Sequence, residues 1–303
     1  MKFVLITVLL VALSHDSQST PKSAHSRKRR IAGGSEVPDG LYPFVVSLQD
    51  LFGHFCAGSI VSDSVVLTAA HCTFREDFFI RAGSVKALSG GSVHTVRLIA
   101  RHEHYKKWMI ENSTSVINDL ALIKIEPSIQ PSEQVGKIQL IGRNESVIEG
   151  TNVTLLGWGA TQNTHEGDFI FSHAKYGIRE LFEFYEMSHY YSETLKNANA
   201  TIIPRSECMR HFTLAENQIC TYSTNGVGCA GDSGGPLMFN ERQIGIKNGG
   251  GNSCSPRESI DVYFNLMPYL DWIDQKVRAL ESLPEDSNFI ESFIKNILRP
   301  IIS

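Results

Sequence analysis

Short strand-like stretches dominate the chain from Pro43 onward. Each stretch is apolar or alternates apolar with polar residues, and Gly, Ser, Asn or Asp separates it from the next. The clearest examples span residues 44–48, 65–70, 120–125, 153–156, 243–246 and 262–266. This pattern predicts an all-β sandwich or barrel, and the lack of a helical pattern between most of these runs argues against a parallel α/β sheet. Helical spacing begins late, at Tyr269, Ile273 and Val277, and a second amphipathic run follows at 289–298.

The first 14 residues have the pattern of a secretory signal peptide. Lys2 provides the positive start, residues 3–13 form a run of 11 residues that is apolar except for Thr7, and small residues at Ala12 and Ser14 suit cleavage. The run is too short to cross a bilayer, and no later segment offers about 18 consecutive apolar residues. We therefore expect a soluble, secreted, extracellular protein without a membrane span; an N-terminal core strand is the alternative interpretation.

The charge of the chain is unevenly distributed. It has 28 basic and 32 acidic residues, but six of the basic and only one of the acidic residues lie in segment 1–30. The remainder holds 22 basic and 31 acidic residues, a formal charge of −9, which does not favour nucleic-acid binding. The basic run 27–30 precedes Ile31, where a folded pattern begins. It predicts processing after Arg30 and a propeptide at 15–30, and a solvated basic tail is the alternative.

Six cysteines in a secreted chain favour disulfides over metal ligands or redox thiols. Six cysteines allow 15 pairings, and spacing alone does not choose among them. Glycosylation is predicted at the four Asn-X-Ser/Thr sequences, which also fit secretion but could arise by chance: Asn112, Asn144, Asn152 and Asn199.

Three separate segments carry residue types suited to acyl transfer. Ser233 lies between glycines in the run 231–236, where little shields its hydroxyl and successive N–H groups can face one point. Such a hydroxyl needs a neighbouring base, for which His71 is the candidate. Asp119, among apolar residues, could orient the imidazole. Each element alone has a plainer interpretation, but the order His, Asp, Ser is that of chymotrypsin-type proteases.

From Ile31 to about Ala279 the chain strongly resembles the trypsin/chymotrypsin family of serine endopeptidases. The resemblance lies in the segments 31–34, 68–72, 119–122 and 157–159 and in the run around Ser233. It implies two packed six-stranded antiparallel β-barrels with a C-terminal helix, and thus a protease domain at 31–279 and an extension at 280–303. It also implies the disulfides Cys56–Cys72, Cys208–Cys220 and Cys229–Cys254.

The same resemblance assigns roles to the site residues. Ser233 attacks the peptide carbonyl, His71 transfers the proton, and Asp119 holds the His71 tautomer. The N–H groups of Gly231 and Ser233 stabilise the oxyanion. After the cut at Arg30, the new α-amino group of Ile31 pairs with Asp232 and orders the Ser233 loop.

The specificity pocket departs from that of trypsin. By alignment it is formed by Val227, Gly228, Gly250 and Asp261, and Val227 replaces the aspartate that selects Arg and Lys. Asp261 could attract a basic side chain, be neutralised by hydrogen bonding, shorten the pocket, or remain a solvated loop carboxylate. An Asp261 that attracts a basic side chain would resemble the relocated pocket acid of some arthropod enzymes, whose specificity is broad. We therefore expect non-trypsin-like or broad specificity.

Two further segments depart from the family pattern. Asn248-Gly249-Gly250 replaces Ser-Trp-Gly, and its glycines predict a loosened substrate-docking strand. The stretch between Gly159 and Cys208 is longer than usual and holds eight aromatic residues, which suggest either a self-packed cover or a binding surface: Phe169, Phe171, Tyr176, Phe182, Phe184, Tyr185, Tyr190 and Tyr191.

The sequence indicates neither a cofactor nor a metal site. His102 and His104 flank Glu103 without the His-Glu-x-x-His spacing of zinc proteases, and segment 84–93, the calcium loop of the family, lacks acidic residues. The expected partners are protein or peptide substrates, an activating protease and, as a further candidate, a protein inhibitor; we expect a monomer. The alternative function is a protease-like binding or regulatory protein with little activity.

Overall fold

A computed structural model describes residues 33–75, 77–110, 113–161, 191–250, 254 and 259–283. Strand formation within them follows the predicted short runs, and the strands are numbered in chain order. They are β1 (Ser35–Glu36), β2 (Val45–Asp50), β3 (Gly53–Ser62), β4 (Val65–Thr68), β5 (Phe79–Ala82), β6 (Ser92–Arg101), β7 (Lys106–Ile110), β8 (Ser113–Ile117), β9 (Ala121–Glu126), β10 (Gln139–Leu140), β11 (Asn152–Gly157), β12 (Lys196–Ile203), β13 (Gln218–Ser223), β14 (Pro236–Phe239), β15 (Arg242–Gly250) and β16 (Ser259–Asn265).

The strands form two closed six-stranded antiparallel barrels, as predicted. The first closes in the order β2-β3-β4-β9-β6-β5. The second runs β12-β11-β14-β15-β16-β13 and closes through pairing of β12 with β13. Closure leaves no unpaired sheet edge within either barrel.

Burial along the strands explains why they were recognisable. β4 and β9 are buried along their whole length, which accounts for the predominance of apolar residues in both strands. β12 alternates between buried and less buried positions, because one face packs inward and the other faces out. One buried cluster includes residues of both barrels, among them Leu67, Ile123 and Leu237.

Two α-helices complete the described fold: α1 (Arg205–Cys208) and α2 (Leu270–Glu281). Helix α2 follows a 3-10 turn at Met267–Tyr269 and buries Ile273, as the late helical spacing predicts. It packs against β4 and β9 of the first barrel, although it follows the second barrel in sequence. Neither described helix has the length and apolar content needed to cross a membrane. The predicted amphipathic run at 289–298 lies outside the described residues.

Two backbone contacts place the start of the described chain and the Ser233 loop on the barrels. β1 pairs with β12, so the start of the described chain lies on the second barrel. The Ala57 N–H, in β3 of the first barrel, donates to the Ser233 carbonyl at 2.8 Å. The Ser233 loop therefore belongs to the second barrel in sequence but is anchored on the first.

Candidate active site

His71 and Asp119 are held together by two hydrogen bonds. The His71 Nδ1 lies 2.6 Å from Asp119 Oδ2, and the His71 backbone N–H donates to Asp119 Oδ1 at 2.8 Å. His71 sits in the 3-10 turn Ala70–Thr73 after β4, whereas Asp119 precedes β9, which pairs with β4. Strand pairing in the first barrel thus brings together two residues that are far apart in sequence. The imidazole keeps 22% of its side-chain surface exposed, while the carboxylate is fully buried.

A tight turn at Asn118 directs Asp119 inward. Asn118 has a left-handed backbone with φ of +51°, a conformation that Asn tolerates better than most residues. Its side chain donates to the His104 carbonyl at 2.9 Å and accepts from the Tyr269 hydroxyl at 2.8 Å. Sequence reasoning missed Asn118, and the signal that could have found it is an Asn directly before a buried Asp.

Asn248 gives Asp119 a third hydrogen bond, from Nδ2 to Oδ2 at 2.7 Å. Burial alone would raise the pKa of Asp119, but the charge of His71 and these hydrogen bonds outweigh it and lower the pKa below its usual value. Sequence reasoning singled out this segment for its glycines and overlooked the amide. The strand is formed nonetheless, since β15 pairs with β16 through Gly249 and Gly250.

Ser233 lies on a loop whose backbone requires glycine on both sides. Gly231 and Gly234 have φ of +92° and +81°, a region that residues with a side chain rarely adopt. A Cβ at Gly234 would overlap Thr68 Oγ1 and the Ala57 carbonyl of the first barrel. The loop is thus packed directly on the strand that leads to His71, with Ser233 half-buried.

A buried polar chain leads from β2 to the Gly231 carbonyl. The Gln49 amide donates to Ser47 Oγ at 2.9 Å, Ser47 Oγ lies 2.7 Å from His54 Nδ1, and His54 Nε2 lies 3.0 Å from the Gly231 carbonyl. A carbonyl only accepts, so Nε2 carries the proton and Nδ1 accepts from Ser47. Burial lowers the pKa of His54 to about 4, which keeps it neutral.

Asp232 points away from the solvent into the second barrel. Its carboxylate accepts N–H groups from Gly159 at 2.7 Å and Cys229 at 2.8 Å. Burial raises its pKa to about 7 despite these bonds and the positive charge of Lys247. Its proposed partner Ile31 and the cleavage residue Arg30 lie outside the described residues.

Three of the predicted pocket residues, Gly228, Gly250 and Asp261, lie together, and a lysine joins them. Asp261 is 1% exposed, so it is not a solvated loop carboxylate. Its Oδ2 accepts the Gly228 N–H at 2.8 Å and its Oδ1 lies 2.5 Å from Lys247 Nζ. Val227 is fully buried, and Gly250 pairs with Asp261 across β15 and β16. Sequence reasoning missed Lys247, although a charged residue inside an apolar strand run is a usable signal.

All three predicted disulfides are present: Cys56–Cys72, Cys208–Cys220 and Cys229–Cys254. Atoms of Cys56, Cys72 and His71 lie close enough together to suggest a metal cluster, but cysteines joined in a disulfide provide no thiolate ligands.

Three of the four predicted glycosylation sites lie on the described surface. Asn144, Asn152 and Asn199 are exposed, and Asn112 lies outside the described residues. The side chain of Asn152 accepts a hydrogen bond from Thr201 at 3.2 Å.

His102 and Glu103 make structural contacts with the C-terminal helix. The His102 ring packs on Trp272 with ring centroids 5.0 Å apart, and Glu103 accepts from the Trp272 indole at 2.6 Å. Of the eight aromatic residues in the predicted insertion, Tyr191 alone falls within the described residues, and its ring packs edge-on against His54 at 5.5 Å. The end of the insertion therefore contacts the polar chain that supports Gly231.

The chain matches known proteins over most of its length. A family model described as Trypsin matches residues 31–180 and 183–273. Trypsin epsilon of Drosophila erecta is 31% identical over 254 residues, covering 83% of this chain and 89% of that protein. Chymotrypsin-2 of Vespa crabro is 32% identical over 250 residues, covering 81% and 99%.

A solved structure supports the same assignment. Neuropsin, described as a serine protease expressed in the limbic system of mouse brain, aligns with a TM-score of 0.65 at 26% identity. The alignment covers 80% of this chain and 98% of neuropsin. Family model, relatives and fold agree, and this chain therefore belongs to the trypsin family of serine endopeptidases.

Proposed function

We propose that the chain is a secreted serine endopeptidase, made as a zymogen, that hydrolyses peptide bonds with Ser233, His71 and Asp119. The observation that carries the proposal is the double hydrogen bond of His71 to the buried Asp119. Because Nδ1 donates to the carboxylate, the neutral imidazole has its free lone pair on Nε2. That nitrogen is the one that must take the serine proton.

The reaction follows in two halves. Ser233 Oγ attacks the substrate carbonyl while His71 Nε2 takes its proton, and the imidazolium then protonates the leaving amine. Water, activated by the same nitrogen, hydrolyses the acyl-enzyme. Asp119 stays ionised throughout and stabilises the imidazolium, which its lowered pKa favours.

The oxyanion is assigned to the N–H groups of Gly231 and Ser233. Within the described part of the chain, neither N–H donates to another protein group, so both can serve a ligand. The hydrogen bond from His54 to the Gly231 carbonyl restrains the rotation of that residue. Loss of one such donor typically costs about 3–4 kcal/mol of transition-state stabilisation.

Activation by cleavage after Arg30 explains the environment of Asp232. The carboxylate is buried, and burial raises its pKa to about 7, so a neighbouring cation would stabilise its charged form. The start of the described part of the chain is held on the second barrel by β1, and Ser35 lies four residues from Ile31. The new α-amino group of Ile31 is the proposed cation.

Secretion is supported by the chemistry of the folded part. Three disulfides suit an oxidising compartment, and Asn144, Asn152 and Asn199 are exposed, as glycan attachment requires. The signal peptide at 1–14 and the propeptide at 15–30 complete the proposal. The substrates are proteins or peptides, and a separate protease performs the activating cut.

The test is labelling of the secreted chain with a fluorophosphonate before and after cleavage at Arg30. We expect labelling only after the cut, and none in the Ser233→Ala variant. Label on the uncut chain at the rate of the cut chain would refute the zymogen proposal. No label on the cut, folded chain would favour the protease-like binding protein instead.

A further inference from the structure

A buried ion pair fills the space beside the Ser233 loop. The Lys247 ammonium lies 2.5 Å from Asp261 Oδ1 and also donates to the Gly249 carbonyl. The two side chains are 6% and 1% exposed. Lys247 is fixed next to the nucleophile by two backbone hydrogen bonds of 2.8 Å, from the Gly234 N–H to its carbonyl and from its own N–H to the Gly235 carbonyl.

The pair occupies the gap between the two glycines of the predicted pocket. A Cβ placed on Gly228 would lie 2.5 Å from Lys247 Cε. A Cβ placed on Gly250 would lie 2.6 Å from Asp261 Oδ1 and 2.9 Å from Lys247 Nζ. Even a single carbon added to either wall would touch the pair, so the glycines leave their space to Lys247 and Asp261.

We propose that Lys247 and Asp261 close the primary specificity pocket and limit the P1 residue, whose carbonyl is attacked, to Gly, Ala or Ser. This inference rests on the proposed function of Ser233 and names the substrate class of the same site. Shape is the first reason, because a Phe or Leu side chain would have to displace two ion-paired groups.

Charge balance is the second reason. The pair is neutral and already satisfied, with Asp261 Oδ2 bonded to the Gly228 N–H. Because the nearby Asp232 carboxylate is assigned to the Ile31 amine, an arriving Arg or Lys would leave two cations for Asp261 alone, and an arriving Glu would leave two carboxylates for the Lys247 ammonium. Either substrate buries an uncompensated charge, which is strongly unfavourable. A small neutral side chain is the class that disturbs neither partner.

The experiment uses the chain cut after Arg30, with active sites counted by fluorophosphonate labelling. Four peptides that differ only at P1 (Ala, Phe, Arg, Glu) are compared by kcat/KM. We expect Ala to exceed each of the others by roughly tenfold or more. A preference for Phe, Arg or Glu overturns the inference, and so does labelled enzyme that cleaves none of the four.

The double variant Lys247→Val with Asp261→Gly empties the gap without leaving a lone charge. We expect the Phe peptide to gain roughly tenfold or more relative to Ala, and an unchanged ratio contradicts the inference. The matched control is Lys124→Val, another buried lysine, which lies in the first barrel and donates to Ser64 at 2.9 Å; it should keep the Ala preference. Absence of labelling in the wild-type chain sinks the proposed function and this inference together, whereas labelling with the wrong preference sinks only the inference.

Discussion

Asp119 is buried and accepts three hydrogen bonds, two of them from His71. Asn at this position would present an amide that can hold His71 in the wrong tautomer. We expect Asp119→Asn to lower kcat by about 10³–10⁴-fold with little change in KM. Steady-state kinetics on the best peptide measures this. Asp63→Asn, an exposed carboxylate beside Lys137, is the matched control and should stay near wild type; a loss below tenfold in Asp119→Asn would contradict the assigned role.

The Lys247–Asp261 pair predicts a characteristic pattern of stability changes. Lys247→Met or Asp261→Asn alone leaves one charge buried without its partner, which typically costs about 3–5 kcal/mol of unfolding free energy. Removing both charges together should cost far less than the sum of the two, because a buried pair contributes little net stability. Urea unfolding of the four proteins measures the coupling. Additive losses would show that the two groups do not form one unit.

At the residue scale, sequence reasoning named the three residues to which the proposed chemistry is assigned and missed the residues that contact them. His71, Asp119 and Ser233 stand in recognisable segments. Lys247 was missed because its partner depends on how β15 and β16 align, and the register shifts between Lys247 and Gly249. Such a shift changes which side chains face each other, and the residue pattern does not reveal it.

At the element scale, the Ser233 loop is held in place by hydrogen bonds to both barrels, to Ala57 in β3 and to Lys247 in β15. Gly234→Ala would force a side chain into a left-handed backbone and against the Ala57 carbonyl. We expect a loss of more than about 2 kcal/mol in stability and loss of fluorophosphonate labelling. Gly136→Ala is the control, since a Cβ there meets nothing within 4 Å. Normal labelling of Gly234→Ala would show that the loop tolerates a shift away from β3.

At the element scale, strand existence was easier to predict than strand bounds. The run 120–125 corresponds closely to β9, and 153–156 lies within β11. The predicted run 65–70 extends past the end of β4, because the strand ends at Thr68 and a 3-10 turn that contains His71 follows. Apolar pattern alone does not distinguish these, since Ala69 and Ala70 are as buried as the strand.

At the scale of the whole molecule, the residue pattern indicated all-β structure, whereas the two-barrel arrangement came from family resemblance. Barrel closure depends on pairings such as β12 with β13, and the site depends on the contact of Ser233 with Ala57. These contacts join residues distant in sequence, and a local periodicity carries no information about them.

In the uncut protein, burial shifts the pKa values of Asp232 and His54 in opposite directions, and both groups affect how the unfolding free energy of the whole molecule depends on pH. Asp232 has a pKa of about 7 in the folded protein and 3.8 in the unfolded chain. Its contribution to the unfolding free energy therefore falls as the pH rises from about 4 to 7. His54 has a pKa of about 4 in the folded protein and 6.5 in the unfolded chain. Its contribution to the unfolding free energy therefore rises over nearly the same pH range. Within its range, each group changes the unfolding free energy by about 1.4 kcal/mol per pH unit. The two changes have opposite sign and largely cancel.

Asp232→Asn in the uncut Ser233→Ala background should therefore expose the His54 slope. Its unfolding free energy should rise, relative to the parent, by on the order of 3 kcal/mol between pH 4 and 6.5. Urea unfolding at four pH values measures this, and His54→Gln should show the opposite trend. The unfolding free energy of the protein cut after Arg30 should depend on pH much as that of Asp232→Asn does, because the Ile31 amine would lower the pKa of Asp232. Parallel pH curves for cut and uncut protein would mean that the new amino group does not reach this carboxylate.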